Sequence, residues 1–395
     1  MSVALTWLLP DGRAGGRSSD GRTVRISGAV PGDEVEFDRI GGTGTTDDGV
    51  CTSVVVPSPN RRPPPCPHSA RCGGCDLDAL DPDGQAAAKA RTVAHAFRWD
   101  GEVPLHRSPP GGSRARIKLA IADGASGFHP PRSHEVVPIG RCGVARPEVG
   151  DAHARLGAWL TPERARGLRA VELRSDGERV VFAFESDGGA VDRDALAALG
   201  DVALDGKRVS GDPTLRLQVG GVTLRASPGS FFQVNPAVNA QLVDAVRHAI
   251  TSRRCERVLD LYAGIGNFGL PIAAGGTAVV AVESPGSGAE DLRFNARAVP
   301  DPSKVQVHAM RVEKLDPSRI AFDAVVLDPP RAGAPGVLTK VARNRPAVVV
   351  YVSCFAPNAA RDLKELGKYE LVSLSAFDLF PDTHHVEALA VWERR

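Results

Sequence analysis

The chain has 395 residues, 42% of them apolar and 24% charged, with a net charge of +1. That length implies two or three domains with substantial cores, and the near-neutral balance excludes a bulk polycation. No stretch approaches the roughly 20 apolar residues that span a bilayer, and the start, Met1-Ser-Val-Ala-Leu-Thr-Trp-Leu-Leu9, lacks the basic region of a signal peptide, so a soluble cytoplasmic protein with no membrane partner is expected.

Residues 1–56 alternate polar and apolar in short runs, Thr23-Val-Arg-Ile-Ser27 and Asp33-Glu-Val-Glu-Phe-Asp38, separated by Gly-rich turns such as Ala29-Val-Pro-Gly-Asp33. This is the pattern of a small β-barrel. Pro57 to Pro65 is a stiff linker. Beyond it a cysteine cluster leads into an Ala-rich helix at about 84–97, strands at 115–121 and 135–139, a helix at 151–160, and further strands at 170–185 and 214–226. From about 229 the pattern changes. Asn235-Pro236 is an N-cap followed by Pro at the first helical position, and the helix runs to about Ser252. Strands at 257–262, 277–282, 305–308, 323–327 and 346–352 then alternate with helices, which predicts a parallel sheet. Two last strands, about 370–378 and 386–393, read as a hairpin.

Charge is unevenly spread. Residues 1–60 hold 5 Lys/Arg against 8 Asp/Glu, whereas residues 61–146 hold 13 against 8. A basic middle suits RNA phosphates, and equally a solvated face. Three of the seven cysteines, Cys66, Cys72 and Cys75, lie close together in sequence, which in a cytosolic chain points to metal rather than disulfides. Cys51 and Cys255 read as ordinary core residues.

The loop Asp260-Leu-Tyr-Ala-Gly264-Ile-Gly266-Asn267 leads from a strand into a helix, and its glycines let backbone approach a cofactor closely. Glu283 ends the next strand, where an acidic group accepts hydrogen bonds from ribose hydroxyls. Loop and acid together fit S-adenosylmethionine (SAM). Asp328-Pro-Pro-Arg331 follows a buried strand, with prolines that stiffen a loop at the active crevice. Cys354 follows Pro346-Ala-Val-Val-Val-Tyr351 and is a candidate nucleophile; the plain alternative is a small buried hydrophobe. Glu387 is a late carboxylate that could equally be an edge-strand charge.

Five stretches in order, Ser230-Phe-Phe-Gln-Val-Asn235, Asp260 to Asn267, Asp328-Pro-Pro-Arg-Ala-Gly333, Tyr351-Val-Ser-Cys354 and Phe377 to Glu387, resemble the bacterial SAM-dependent RNA 5-methyluridine methyltransferases of the 23S rRNA uracil-C5 type. The resemblance implies a SAM site lined by Gln233, Tyr262, Gly264, Gly266, Asn267, Glu283 and Asp328, with Cys354 as nucleophile and Glu387 as base. It also implies a 4Fe–4S cluster on Cys66, Cys72, Cys75 and Cys142, with zinc as the runner-up. The implied fold is multidomain α/β: a TRAM-like (OB-like) RNA-binding β-barrel at 1–56, a central β-rich cluster domain at 61–226 and a Rossmann-like class I methyltransferase domain at 227–395. The expected partner is structured RNA, ribosomal rather than transfer RNA because resembling tRNA enzymes generally lack the cysteines, and a monomer is expected. The alternatives are a tRNA uridine, a catalytically inactive RNA-binding Fe–S protein, or a small-molecule methyltransferase. Two positions depart from the family: Phe355-Ala356 stands where Asn-Pro usually follows the nucleophile, and Ala263 where Cys is common.

Overall fold

The computed structural model describes all residues except Met1, Ala70, Pro110, Pro131 and Arg132. Period-two alternation at the start builds five strands, β1 (Ser2–Leu8), β2 (Ala14–Arg17), β3 (Thr23–Ser27), β4 (Glu34–Thr43) and β5 (Thr46–Val56), which close into a barrel in the order β1-β2-β3-β5-β4. Val3, Leu5, Val24, Ile26 and Val35 point inward and fill it. Outside, Arg22 and Arg39 pair with Asp47, and Arg13 and Arg25 pair with Asp48.

Helix α1 (Pro82–Phe97) starts where Asp81 accepts a hydrogen bond from the Gly84 amide and Pro82 takes the first turn. Strand β6 (Leu105–Arg107) then pairs with residues 376–378. Residues 82–107 therefore pack on the C-terminal sheet, although 61–226 reads in sequence as one central unit. The apolar stripe of α1 fits the sheet's helical layer, and β6 covers what would otherwise be an open edge.

The central sheet comprises β7 (Arg116–Ala122), β8 (Ala125–Phe128), β9 (Val137–Pro138), β10 (Leu168–Ser175), β11 (Val180–Ser186), β12 (Val202–Leu204) and β13 (Lys207–Ser210), ordered β13-β12-β11-β10-β7-β8-β9. Helix α2 (Pro147–Trp159) sets Val149 and Leu156 against Leu119, Val171 and Phe182. It starts at Pro147, ahead of the expected Asp151, because proline's fixed φ suits the first helical position. The strand expected at 135–139 shrinks to Val137–Pro138, since Pro138 has no N–H for a ladder. A short helix, α3 (Arg193–Ala197), precedes β12, and a hairpin of β14 (Leu215–Val219) and β15 (Val222–Ala226) leads into the last unit.

There α4 (Pro236–Thr251), β16 (Arg257–Leu261), α5 (Gly269–Ala274), β17 (Ala278–Glu283), α6 (Ser287–Ala296), β18 (Val305–Ala309), β19 (Ala324–Leu327), α7 (Val337–Ala342), β20 (Val348–Ser353), α8 (Ala356–Asp362), β21 (Tyr369–Asp378) and β22 (Glu387–Arg394) follow in turn. The sheet order is β18-β17-β16-β19-β20-β22-β21-β6, parallel from β18 to β20, with β22 reversed. Val258, Val326 and Val350 bury against Leu242 and Val246 of α4, while Leu259, Val325 and Val349 face Leu338, Val341 and Val93 on the other side. Burial on both faces explains the unbroken apolar runs. The chain works outward from β16 to β18, then returns to add β19 on the other side, so the switch point lies between the ends of β16 and β19.

Candidate active site

Sheet register brings the candidate residues to one edge. Leu261 pairs with Leu327 and Leu327 with Tyr351, so Tyr262 and Asp328 leave the sheet side by side and Cys354 leaves it just beyond. Because β22 runs the other way, Ser353 faces Ala388, which sets Glu387 at the same end as Cys354. Neighbours in space here come from four separate strands.

On the cofactor side, Gly264 and Gly266 have φ of 57° and 100°, the left-handed region that favours glycine. A Cβ on Gly266 would lie 2.4 Å from Leu270 Cδ1, whereas one on Gly264 would meet nothing within 4 Å. Gly264 therefore faces open space, as a cradle for a ligand requires. Glu283 accepts hydrogen bonds from the Gly264 and Ser284 amides, each at 2.8 Å, which holds its carboxylate beside that space. The Gln233 amide donates to Asp328 at 3.3 Å. Asn267 and Asn239 exchange amide hydrogen bonds at 2.9 and 3.0 Å. Gln233, Asn239, Asn267 and Phe232 line a cavity of about 130 Å³. The Tyr262 hydroxyl donates to Glu313 at 3.1 Å, and burial followed by that carboxylate's charge pushes the phenol up.

On the nucleophile side, burial pushes the Cys354 thiol up to about 12, and Glu387 and Asp328 push the same way while Arg331 opposes them. Burial raises Asp328 to about 7. Glu387 is buried, its Oε2 has no hydrogen-bond partner among the described residues, and burial together with Asp328 holds it well above the usual carboxylate range. Like charges in a dry crevice cannot all ionise, so this cluster retains a proton near neutrality and can accept or return one at little cost. Phe355, the unusual residue after Cys354, lies under the Arg331 guanidinium at 4.9 Å, and Asn358 donates to the Arg331 carbonyl at 2.7 Å. The Phe355 ring thus holds a cation beside the thiol by stacking.

Several residues support the site in ways the sequence does not show. Asp260 accepts from the Gly269 amide at 3.0 Å and is raised to about 8 by burial, which braces the glycine loop from beneath. Asp291 on α6 accepts from Ser227 N (2.7 Å), Ser230 Oγ (2.6 Å) and Arg225 Nε (2.6 Å). Arg174, buried on β10, donates to the carbonyls of Ser227 (2.8 Å), Pro228 and Ser230 (2.6 Å). Together they fix the segment that delivers Gln233. Asn239 alone could have been found, one turn beyond the Asn235 cap on the same helix face. Of the two adjacent aromatics, Phe232 is core and Phe231 is 55% exposed with Arg116 4.4 Å over its ring.

Burial raises Cys75 to about 12 and also raises Cys72 and Cys142; Cys142 adds to the rise at both Cys72 and Cys75, and Cys66 to that at Cys72 and Cys142, while Arg114 lowers Cys72, Cys75 and Cys142. An all-thiol set is of the kind that suits iron–sulfur or zinc ligation. Among the described residues no three such groups are close enough to hold one metal ion. The loop is tied to the segment before Glu387: Asp76 N and Leu77 N donate to the Asp382 carbonyl (3.1 and 3.0 Å), Asp76 accepts from His384 N at 2.7 Å, and Arg62 and Gln85 bond the Asp382 carboxylate. Lys89 of α1, fully buried, pairs with Asp378 at 2.7 Å.

A family profile described as tRNA (Uracil-5-)-methyltransferase matches residues 203–298 and 289–395. The 23S rRNA (uracil(1939)-C(5))-methyltransferase RlmD of Alkalilimnicola ehrlichii is 33% identical over 99% of this chain and 96% of its own length. That of Edwardsiella ictaluri is 33% identical over 94% of this chain and 91% of its own length. Among solved structures, Pyrococcus abyssi tRNA (uracil-54, C5)-methyltransferase in complex with S-adenosyl-L-homocysteine matches with a TM-score of 0.79 at 27% identity, covering 99% of this chain and 100% of that one. Sheet, glycine loop and strand-end acid define a SAM-dependent methyltransferase. Within that class the chain belongs to the RNA uracil-C5 methyltransferase family. In this structure no helix of the described residues is long and apolar enough to cross a membrane.

Proposed function

We propose that this protein methylates C5 of a uridine in 23S ribosomal RNA through a covalent adduct on Cys354. The observation that carries the mechanism is the convergence of Cys354, Glu387, Asp328 and Arg331 at one sheet edge beside the glycine loop. Uracil C5 is a poor nucleophile. The Cys354 sulfur forms a bond to C6 while its proton passes to Asp328, which leaves Glu387 free for the later step and returns the proton when the thiol is released. The C5–C6 π pair then becomes an enolate that is nucleophilic at C5. SAM, when bound, supplies an electrophilic methyl group to that carbon and departs as the thioether. Glu387 removes the C5 proton, the double bond re-forms, and the C6–S bond breaks to release Cys354. Gln233, Tyr262, Gly264, Gly266, Asn267, Glu283 and Asp328 are the residues that would hold SAM.

The reading extends to the other parts. Cys66, Cys72, Cys75 and Cys142 would hold a 4Fe–4S cluster, supported by the all-thiol donor set; zinc is the competing metal. The barrel would act as a TRAM-like RNA-binding domain, and Phe231 would stack on a base drawn out of the RNA. A tRNA uridine is the second reading, favoured by the full-length likeness to the archaeal tRNA enzyme.

The test uses 5-fluorouridine transcripts of 23S rRNA and of tRNA incubated with the protein and SAM. Fluorine cannot leave C5 as a proton, so an active enzyme stalls as an adduct. A heat-stable, SAM-dependent adduct on rRNA that is absent in Cys354→Ala is expected. An adduct on tRNA alone would move the substrate, and SAM binding with no adduct on either would leave a non-catalytic RNA-binding protein.

A further inference from the structure

A second cleft lies away from the reacting centre. A cleft of about 980 Å³ runs between the barrel, helix α1 and helix α8. Its floor is apolar and includes Trp7 of β1 and Trp392 of β22. Arg17, Arg91, Arg98, Arg361 and Lys364 line it, and no acidic side chain does among the described residues. Arg361 pairs with Asp362, whereas the other four cations are exposed and form no ion pair among the described residues. The contrast is sharpest in the barrel. There Arg13, Arg22, Arg25 and Arg39 are all held by Asp47 or Asp48, and Arg17, the remaining arginine, faces the cleft. The walls are fixed: the Thr92 hydroxyl of α1 donates to the Leu8 carbonyl at 3.0 Å.

We propose that this cleft binds an unpaired segment of the substrate RNA. Unpaired cations over an apolar, tryptophan-bearing floor are what single-stranded nucleic acid requires, because phosphates take the charge and bases take the aromatic faces. The cleft also points the right way. It follows one face of α8 through Pro357 and Ala360 to Lys364 in the turn beyond, and α8 begins just after Cys354. A strand lying there leads along α8 towards the nucleophile. The inference rests on the RNA reading above, yet names a surface outside the reacting crevice.

The experiment measures equilibrium binding of a 23S rRNA transcript to the full-length protein between 50 and 200 mM salt, roughly the range over which phosphate contacts lose most affinity. Wild type is compared with Arg91→Ala/Lys364→Ala and with Lys207→Ala/Arg208→Ala, which removes equal charge from the distant β13 hairpin. The cleft variant should bind about tenfold more weakly, with a salt slope lower by about 2, and the hairpin variant should match wild type. A 4-thiouridine transcript cross-linked by light should label peptides 7–17, 91–98 or 361–364. Equal loss in both variants would reduce the effect to bulk charge and overturn the proposal, as would unchanged binding in the cleft variant. Displacement of the transcript by polyglutamate in wild type, with cross-links that miss the cleft, would assign it to an acidic protein instead. Methyl transfer to the transcript by wild type is scored in parallel, so failure of the cleft alone is distinct from failure of the RNA reading.

Discussion

The proposed nucleophile, Cys354, sits where a thiolate is disfavoured. Burial comes first, then the charges of Glu387 and Asp328, while Arg331 and a backbone hydrogen bond oppose them. Removing an anion next to an acid stabilises its ionised form, so Glu387→Gln should move the Cys354 titration to lower pH. Iodoacetamide labelling of the Cys354 peptide against pH reads this directly. The same variant should accumulate covalent RNA adduct, because the C5 proton has no acceptor. An unshifted labelling profile with normal turnover would remove Glu387 from its role. The two loop glycines separate ligand space from protein packing. Gly266→Ala drives its Cβ into Leu270 and should cost about 1–3 kcal/mol of stability. Gly264→Ala meets no protein atom, so its stability loss should stay near the backbone strain of roughly 1–2 kcal/mol, while SAM affinity measured calorimetrically should fall the more. Equal stability losses with equal SAM affinities would deny Gly264 its place beside the cofactor.

At the scale of elements, α1 is fastened by a charge pair with no water around it. Lys89 is 0% and Asp378 7% exposed, and burial pulls the ammonium down while Asp378 holds it up. Truncating one member strands the other, so Lys89→Ala should cost about 3–5 kcal/mol, whereas Lys89→Met with Asp378→Leu should recover most of it. Urea midpoints of the three proteins check this; a single variant as stable as wild type would refute it. The strands β16, β17, β19 and β20 were readable because burial on both faces makes them continuous apolar runs, and Asn235-Pro236 marked α4 by its own cap chemistry. The resemblance singled out Cys354 and Glu387, and the register explains how two residues far apart in sequence reach the same end of the sheet. Strand β6 was not readable: Leu-His-Arg carries one apolar residue, and its partner lies at 376–378. Arg174 and Asp291 were hidden for the same reason, since their value lies in carbonyls and hydroxyls near Ser227 that only the tertiary fold brings to them.

For the molecule as a whole, the cysteine loop and the segment leading to Glu387 share a set of hydrogen bonds through Asp76, Asp382 and His384. Stripping the proposed cluster with chelator and oxidant, or replacing Cys75 by Ser, should therefore loosen residues 378–386 as well as the loop. Amide exchange in that peptide should speed up along with the loss of iron absorbance. Unchanged protection there would mean that the two segments are independent.

The pairing of residues 105–107 with 376–378 also sets an order of events in the life of each chain. The first partner leaves the ribosome long before the second exists. At about 5–20 residues per second the interval is roughly 15–55 s. Through that time α1 has nowhere to bury its lysine, and the four thiols stand without the segment that later anchors their loop. No nascent chain, however well its barrel and central sheet have formed, can cover this sheet edge until residues 376–378 have been made.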